Sequence, residues 1–192
     1  MAHKFDPARC ARLESPERLA LLPPRRVLDL VSVRTGERVL DVGCGPGVFT
    51  VPLARAVGAA GRVLATDLEP AMVAACDRRV KSLGLDNVVV QRSGESTLPL
   101  PSASVDLVFA SHLLHELEEP AAFLAEVRRV LRRPGRLAAI EWAKRDTGQG
   151  PPLVHRLSPH DARELLERNG FRVTRTAEVT WGNYLVIARP RA

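Results

Sequence analysis

The run Val39-Leu40-Asp41-Val42-Gly43-Cys44-Gly45-Pro46-Gly47 is the part of this chain best suited to holding a ligand. Apolar residues lead into an acid and then into three glycines at alternate positions. That order describes a buried strand ending in a tight turn, with a helix pattern from Val48 to Val57 behind it. Glycines at such a corner let the backbone approach a ligand that any Cβ would exclude. A strand–turn–helix also aims N–H groups at polar or anionic groups. The corner therefore reads as a site for a nucleotide-type cofactor. Asp67 stands about 20 residues on, where an acid commonly accepts hydrogen bonds from ribose hydroxyls. It equally suits a cap for the helix that starts at Pro70. A dinucleotide fold would space its glycines G-x-G-x-x-G; the G-x-G-x-G spacing here disfavours NAD.

Three more segments carry chemistry. His112-Leu113-Leu114-His115-Glu116 follows a strand pattern. His115 has an ordinary pKa near working pH, so it could orient a substrate or take its proton. It could also be a core imidazole bonded to backbone. Glu141-Trp142 closes another strand pattern, and Trp142 suits either the wall of an acceptor pocket or the packed core. His155 and Arg156 follow the Gly148–Pro152 turn. Arg156 would bind a carboxylate or phosphate in bidentate fashion, or simply pair with a surface acid. His115 and Glu116 are adjacent and do not share a face, and no metal-ligand spacing occurs.

The elements that must position these residues alternate. Strand patterns cover Arg38–Val42, Arg62–Thr66, Asn87–Gln91, Val105–Ala110 and Arg136–Trp142. Helix patterns cover Gly47–Val57, Pro70–Leu83, Pro120–Leu131 and Ser158–Asn169. Alternation of this kind means a parallel sheet with helices on both faces, and ligands sit at the carboxyl ends of its strands. Phe171–Thr180 and Tyr184–Arg189 flank Trp181-Gly182-Asn183, which signals a β-hairpin and adds an antiparallel strand near one sheet edge. Ahead of the sheet, Ser15 caps a helix from Pro16, and Arg25–Val33 continues helically after Pro23-Pro24. Residues 1–35 are expected to form a helical lid segment, and 36–192 the main body of one domain. Asp106 begins its strand at the end remote from the site, which suits a structural role.

At 192 residues, with 45% hydrophobic and 26% charged content, the chain has the composition of a soluble globular domain. Its three cysteines, Cys10, Cys44 and Cys76, match neither a disulfide framework nor a zinc pattern, which points to a reducing cytoplasm. The start of the chain has no apolar signal-peptide core, and no apolar run approaches the ~20 residues of a membrane span. The net charge of +6 invites a nucleic-acid partner. Its arginines are scattered and aromatics are only 4%, whereas nucleic-acid binders favour basic stripes with stacking aromatics.

The glycine run with Asp67, and the terminal hairpin, resemble the class I S-adenosylmethionine-dependent methyltransferases. His112–Pro120 is similar to the L-H-H-x-x-D-P segment of the ubiquinone/menaquinone-biosynthesis-like type 11 group, with Glu116 in place of the second His. His3–Pro7, Leu22-Pro23-Pro24 and Gly150-Pro151-Pro152 resemble a small bacterial subgroup. The resemblance implies a Rossmann-like, seven-stranded, mostly parallel sheet with a C-terminal hairpin. It implies S-adenosylmethionine as cofactor, bound by Asp41, Gly43, Cys44, Gly45, Gly47, Asp67, Leu68, Gly94 and Glu95. By the same likeness Asp41 helps hold the methionine end, or is a structural acid under the turn. Ser93-Gly94-Glu95 stands where relatives carry Gly-Asp-Ala-Glu around adenine, so the contact falls to backbone or to the Glu95 carboxylate. Methyl transfer from a sulfonium needs mainly binding, alignment and desolvation, in keeping with a chain that shows no triad or metal cluster. The acceptor is expected to be a small molecule, held by His115, Trp142 and Arg156 and covered by the segment around Phe5. RNA or protein methylation, and cofactor binding without catalysis, are the rival readings. The oligomeric state stays open.

Overall fold

The computed structural model describes residues 7–191. The segment around Phe5 that was expected to cover the acceptor lies outside the described residues. A 3-10 helix at Pro7–Glu14 leads into α1 (Pro16–Leu21) and α2 (Pro24–Val31). Ser15 Oγ accepts the Arg18 N–H at 3.2 Å, so α1 is capped as its sequence demands. The body alternates β1 (Arg38–Val42), α3 (Thr50–Val57), β2 (Arg62–Asp67), α4 (Pro70–Ser82), β3 (Val88–Arg92), β4 (Val105–Ser111), α5 (Pro120–Val130) and β5 (Leu131–Trp142). It ends with α6 (Pro159–Arg168), β6 (Phe171–Thr180) and β7 (Asn183–Pro190). Ser158 opens α6 with a full capping box: its Oγ accepts the Asp161 N–H, and Asp161 accepts the Ser158 N–H.

The seven strands form one sheet in the order β3-β2-β1-β4-β5-β7-β6. β1 to β5 pair in parallel, while β7 runs antiparallel between β5 and β6. The sheet is therefore the mostly parallel, hairpin-terminated one implied by the sequence. Its two faces are both covered. Leu40 and Val42 of β1 join the layer of α5 and α6, whereas Val39 joins that of α2 and α3. This is the period of two expected of a strand buried on both sides.

Two boundaries differ from the sequence patterns, each for a backbone reason. α3 starts at Thr50 rather than Gly47, because Gly47 takes φ +87°, outside the helical region. β5 starts at Leu131 rather than Arg136. Leu131 pairs with Val105, and the ladder then shifts register across Pro134-Gly135 before Arg136 meets Leu107. Proline lacks the N–H that a regular ladder needs there. Asp106 has the structural role expected: it accepts the Arg38 N–H at 2.8 Å and pairs with Arg132. Among the described residues, no helix is long and apolar enough to cross a membrane.

Candidate functional site

The glycine turn is tied to the tip of β2. The N–H groups of Gly43 and Cys44 both donate to Thr66 O, at 2.8 and 3.0 Å, and Gly47 N donates to Cys44 O. The Gly45 N–H donates to Asp67 Oδ2 at 2.9 Å. These four N–H groups are therefore committed inside the protein. The turn does not aim them outward at an anion, as the strand–turn–helix reading expected. What the glycines supply is close packing: a Cβ on Gly47 would stand 3.0 Å from Cys76 Sγ on α4.

Asp67 closes this arrangement. Its Oδ1 accepts the Glu69 N–H at 3.0 Å, the turn that leads into α4. Each carboxylate oxygen thus accepts a backbone N–H. Burial raises its pKa, against the lowering by the Glu69 and Gly45 N–H groups. Leu68, beside it, is 36% exposed.

Asp41 is 2% exposed and lies below the turn, where Thr50 Oγ1 donates to its Oδ2 at 2.6 Å. Burial pushes its carboxyl up to about 7, with Thr50 opposing and Asp67 adding to the rise. Its oxygen meets a side-chain hydroxyl of α3 rather than a turn N–H, which corrects the reading of Asp41 as an acceptor for the turn. The Cys44 side chain packs with Val51, Ala65, Cys76 and Val80 under the turn. Contact with Cys76 and burial keep the Cys44 thiol protonated.

After β3, Gly94 forms an isolated bridge with Thr97. Glu95 Oε1 accepts the N–H groups of Glu118 and Glu119, at 2.8 and 3.0 Å. That oxygen holds the entry to α5 in place.

The carboxyl ends of β4 and β5 bring together residues that the sequence separates. His115 Nδ1 meets Glu141 Oε2 at 2.7 Å, and Glu141 Oε1 accepts the Leu114 N–H at 2.8 Å. Glu141 is fully buried. Burial would lower the His115 pKa, but the Glu141 bond and charge outweigh it and hold the imidazole above its ordinary value. So His115 is bonded to a carboxylate, not to backbone. Trp142, 4% exposed, lies between two guanidiniums: Arg18 at 4.4 Å and Arg156 at 5.1 Å from the ring centroid. The His112 ring packs on it at 4.7 Å.

His112 was quoted in the sequence only as part of its segment, yet it is the centre of a network. Its Nε2 meets Asn183 Oδ1 at 2.7 Å, and its Nδ1 meets Arg18 Nη2 at 2.7 Å. Asn183 Nδ2 in turn donates to Leu21 O, as does Thr180 Oγ1. These contacts join residues 94 and 71 positions apart, so no local spacing could reveal them.

Arg156 has another role than the anion clamp expected of it. It is 4% exposed, and its Nε, Nη1 and Nη2 donate to the carbonyls of Pro151, Ala143, Arg145 and Gln149. It ties down the loop 143–152 rather than pairing with a surface acid. A cavity of about 70 Å³ lies along the outer side of the glycine turn. Leu13, Leu19, Leu22 and Arg18 bound it on one side, and Gly43–Pro46, Phe49 and Ser111 on the other.

The comparisons with known proteins bear on the family and the fold. The family described as "Methyltransferase domain" matches residues 40–139. The aklanonic acid methyltransferase DauC of Streptomyces sp. (strain C5) is 34% identical over 143 residues, 74% of this chain and 64% of that protein. The ubiquinone/menaquinone biosynthesis C-methyltransferase UbiE of Salmonella arizonae is 30% identical over 158 residues, 80% of this chain and 60% of that one. The chain thus spans less than two thirds of the length of these curated relatives. Among solved structures, a SAM-dependent methyltransferase from Aquifex aeolicus superposes with a TM-score of 0.92 at 39% identity, covering 96% of this chain and 98% of the other.

Proposed function

The chain belongs to the S-adenosylmethionine-dependent methyltransferases of the methyltransferase-domain family, and from that premise we propose that it methylates a small-molecule acceptor at the ends of β4 and β5. The cofactor, when bound, supplies a methyl group already activated on a sulfonium, which leaves the protein to bind, align and exclude water. The residues of this chain fit that group. Asp67 keeps lone pairs for ribose hydroxyls. Leu68 and the backbone of Gly94 and Glu95 would border adenine. Gly43, Gly45 and Gly47 give the backbone surface against which the amino-acid end would lie, with Cys44 contributing main chain only. Asp41 supports the turn from beneath through Thr50.

The cavity beside the turn is far below the roughly 300–1,000 Å³ of small-molecule sites. Residues 7–22 would therefore have to withdraw to admit the cofactor and return over it, which is the lid role assigned to the N-terminal segment. On the acceptor side, Trp142 offers an aromatic wall. The His115–Glu141 pair is the group we assign to the proton that a nucleophilic acceptor must lose. Glu141 holds Nδ1 of His115, and Nε2 lies 3.7 Å from Glu116 Oε1, so a proton taken at Nε2 would be stabilised by both carboxylates.

One observation supports the reading: Arg18, which bounds the cavity beside the glycine turn, bonds His112 and lies over Trp142, and His115 meets Glu141 at the same ends of β4 and β5. The names of DauC, UbiE and nocamycin O-methyltransferase all describe action on small molecules, which supports the acceptor class. The test is radiolabelled methyl transfer from S-adenosylmethionine into a metabolite extract, total RNA and total protein. Label in the small-molecule fraction, reduced in Trp142→Ala, is the expected result. Label only in RNA or protein would overturn the acceptor class, and a protein that binds the cofactor but labels nothing would overturn catalysis.

A further inference from the structure

His112 is over-determined by its surroundings. Its backbone takes φ +56°, a region that residues with a Cβ rarely occupy. Its N–H donates to Ile140 O at 2.8 Å, and its ring packs on Trp142. Strain of this kind persists only where neighbouring groups hold it. Two groups with fixed roles set the state of the ring. A backbone carbonyl only accepts, so Leu21 O, 2.9 Å from the Asn183 amide, must face its Nδ2. Oδ1 then faces His112 Nε2, which carries the proton. A guanidinium only donates, so Arg18 Nη2 at 2.7 Å requires a bare Nδ1. The Ser111 hydroxyl, 3.3 Å away, can donate to the same atom. Both requirements select one neutral tautomer. Burial and the Arg18 charge hold the His112 pKa well below its ordinary value, in agreement with a neutral ring.

Both requirements come from one helix, because Arg18 and Leu21 belong to α1. Thr180 Oγ1 is a second donor to the Leu21 carbonyl, at 2.7 Å, and lies 3.5 Å from Asn183 Nδ2. We propose that Asn183 is a positioning residue for the methyl transfer: it links the two anchor points of α1, turning its Nδ2 to Leu21 O and thereby setting the His112 tautomer that Arg18 needs. With α1 docked, the carbonyl orients the amide, the amide places the imidazole proton, and the bare Nδ1 receives Arg18. With α1 withdrawn, the amide is free to turn its Nδ2 to His112. That orientation selects a ring protonated at Nδ1, which offers Arg18 no acceptor. Docking at one anchor therefore prepares the other. The Arg18 guanidinium and the His112 ring both lie against Trp142, at 4.4 and 4.7 Å from its ring centroid. The acceptor wall is thus complete only when both anchors are made. The inference rests on the lid reading above.

The test is a double-mutant cycle read by hydrogen exchange of the segment 16–22 in the ligand-free protein. Arg18→Met should speed that exchange about 10- to 100-fold in the wild-type background, the range of a lost charged hydrogen bond. In Asn183→Ala, where the ring proton is no longer placed, the factor should be at least about 3-fold smaller. In Thr180→Val, which removes a bond to the same carbonyl and leaves Asn183 in place, the full effect of Arg18→Met should remain. Equal effects of Arg18→Met in all three backgrounds would mean independent contacts and overturn the proposal. A second measurement needs no variant of Asn183, should Asn183→Ala not fold: nitrogen-15 NMR of the histidine side chains at neutral pH. A His112 ring protonated at Nε2 alone is expected, and one protonated at Nδ1 would overturn the proposal. S-adenosylhomocysteine should slow the exchange of the same segment in the wild type. If it does not, the lid reading falls, while the cycle still decides the role of Asn183.

Discussion

Asp67 Oδ2 receives the Gly45 N–H at 2.9 Å, so the acid assigned to the ribose also sets the shape of the glycine turn. The tip of β2 and the turn after β1 are one unit, and binding and stability are coupled there. Asp67→Ala leaves the Gly45 and Glu69 N–H groups without their acceptor. The expected cost is about 1–3 kcal/mol in urea unfolding without ligand. A loss of S-adenosylhomocysteine affinity should come on top of it. A variant that loses affinity with unchanged stability would show that the carboxylate acts on the ligand alone.

Asp41 predicts a pH slope. Its carboxyl titrates near 7 when folded, against about 3.9 in an unfolded chain. Between these values the folded state holds a proton that the unfolded state releases, so stability falls as pH rises across that window. At about 1.4 kcal/mol per unit, the loss is on the order of a few kcal/mol. Asp41→Asn keeps the shape and removes the titration. Its urea-unfolding free energy should fall less than that of the wild type between pH 5 and pH 6.5, the part of the window below the His115 titration.

His115 should titrate above its ordinary value because Glu141 stabilises the imidazolium more than burial opposes it. The stability this gives is present at pH below the unfolded value of about 6.5 and is lost as pH rises through the folded value. Glu141→Gln leaves only the Glu116 charge against burial, so the His115 resonance in NMR titration should move to lower pH. If His115 takes the acceptor's proton, kcat/KM rises through the same pKa, and that limb shifts with Glu141→Gln. A shifted NMR titration with an unmoved rate profile would restrict the pair to holding the segment Leu114–Glu116.

Arg156 holds a loop, and its loss should read as loop opening. Arg156→Gln is expected to make the segment 143–152 sensitive to limited proteolysis, with cofactor affinity changed less than about 2-fold. The fork geometry that reaches several carbonyls is not available to lysine, so Arg156→Lys should resemble Arg156→Gln. Retained protease resistance in both would show that the loop stands without this residue.

Gly150 takes φ +85°, and a Cβ there would stand 2.7 Å from the Trp142 indole. Gly150→Ala must push the indole or the loop aside. The expected outcome is a change in Trp142 fluorescence and weaker acceptor turnover, with near-wild-type affinity for S-adenosylhomocysteine. Unchanged fluorescence would mean that the loop moves and the ring does not.

Much of the fold is written locally in this chain. The alternation of strand and helix patterns, Ser15 and Ser158 as caps, and the hairpin around Gly182 each act over a few residues. The order of types in Val39–Gly47 likewise marks a strand ending in a tight turn, because positive φ and close approach are properties of glycine itself. Tertiary structure decided where the charges go. Whether the turn's N–H groups face outward depended on Thr66 and Asp67 arriving from the next strand. Glu141 became the partner of His115 because β4 and β5 pair in parallel and end together. Arg156 went to loop carbonyls, and Arg18 to the cavity, through contacts made by side chains long enough to choose among several partners. Such choices are settled by burial and by which polar groups remain unsatisfied once the sheet has closed, and those are properties of the assembled structure rather than of any window of sequence.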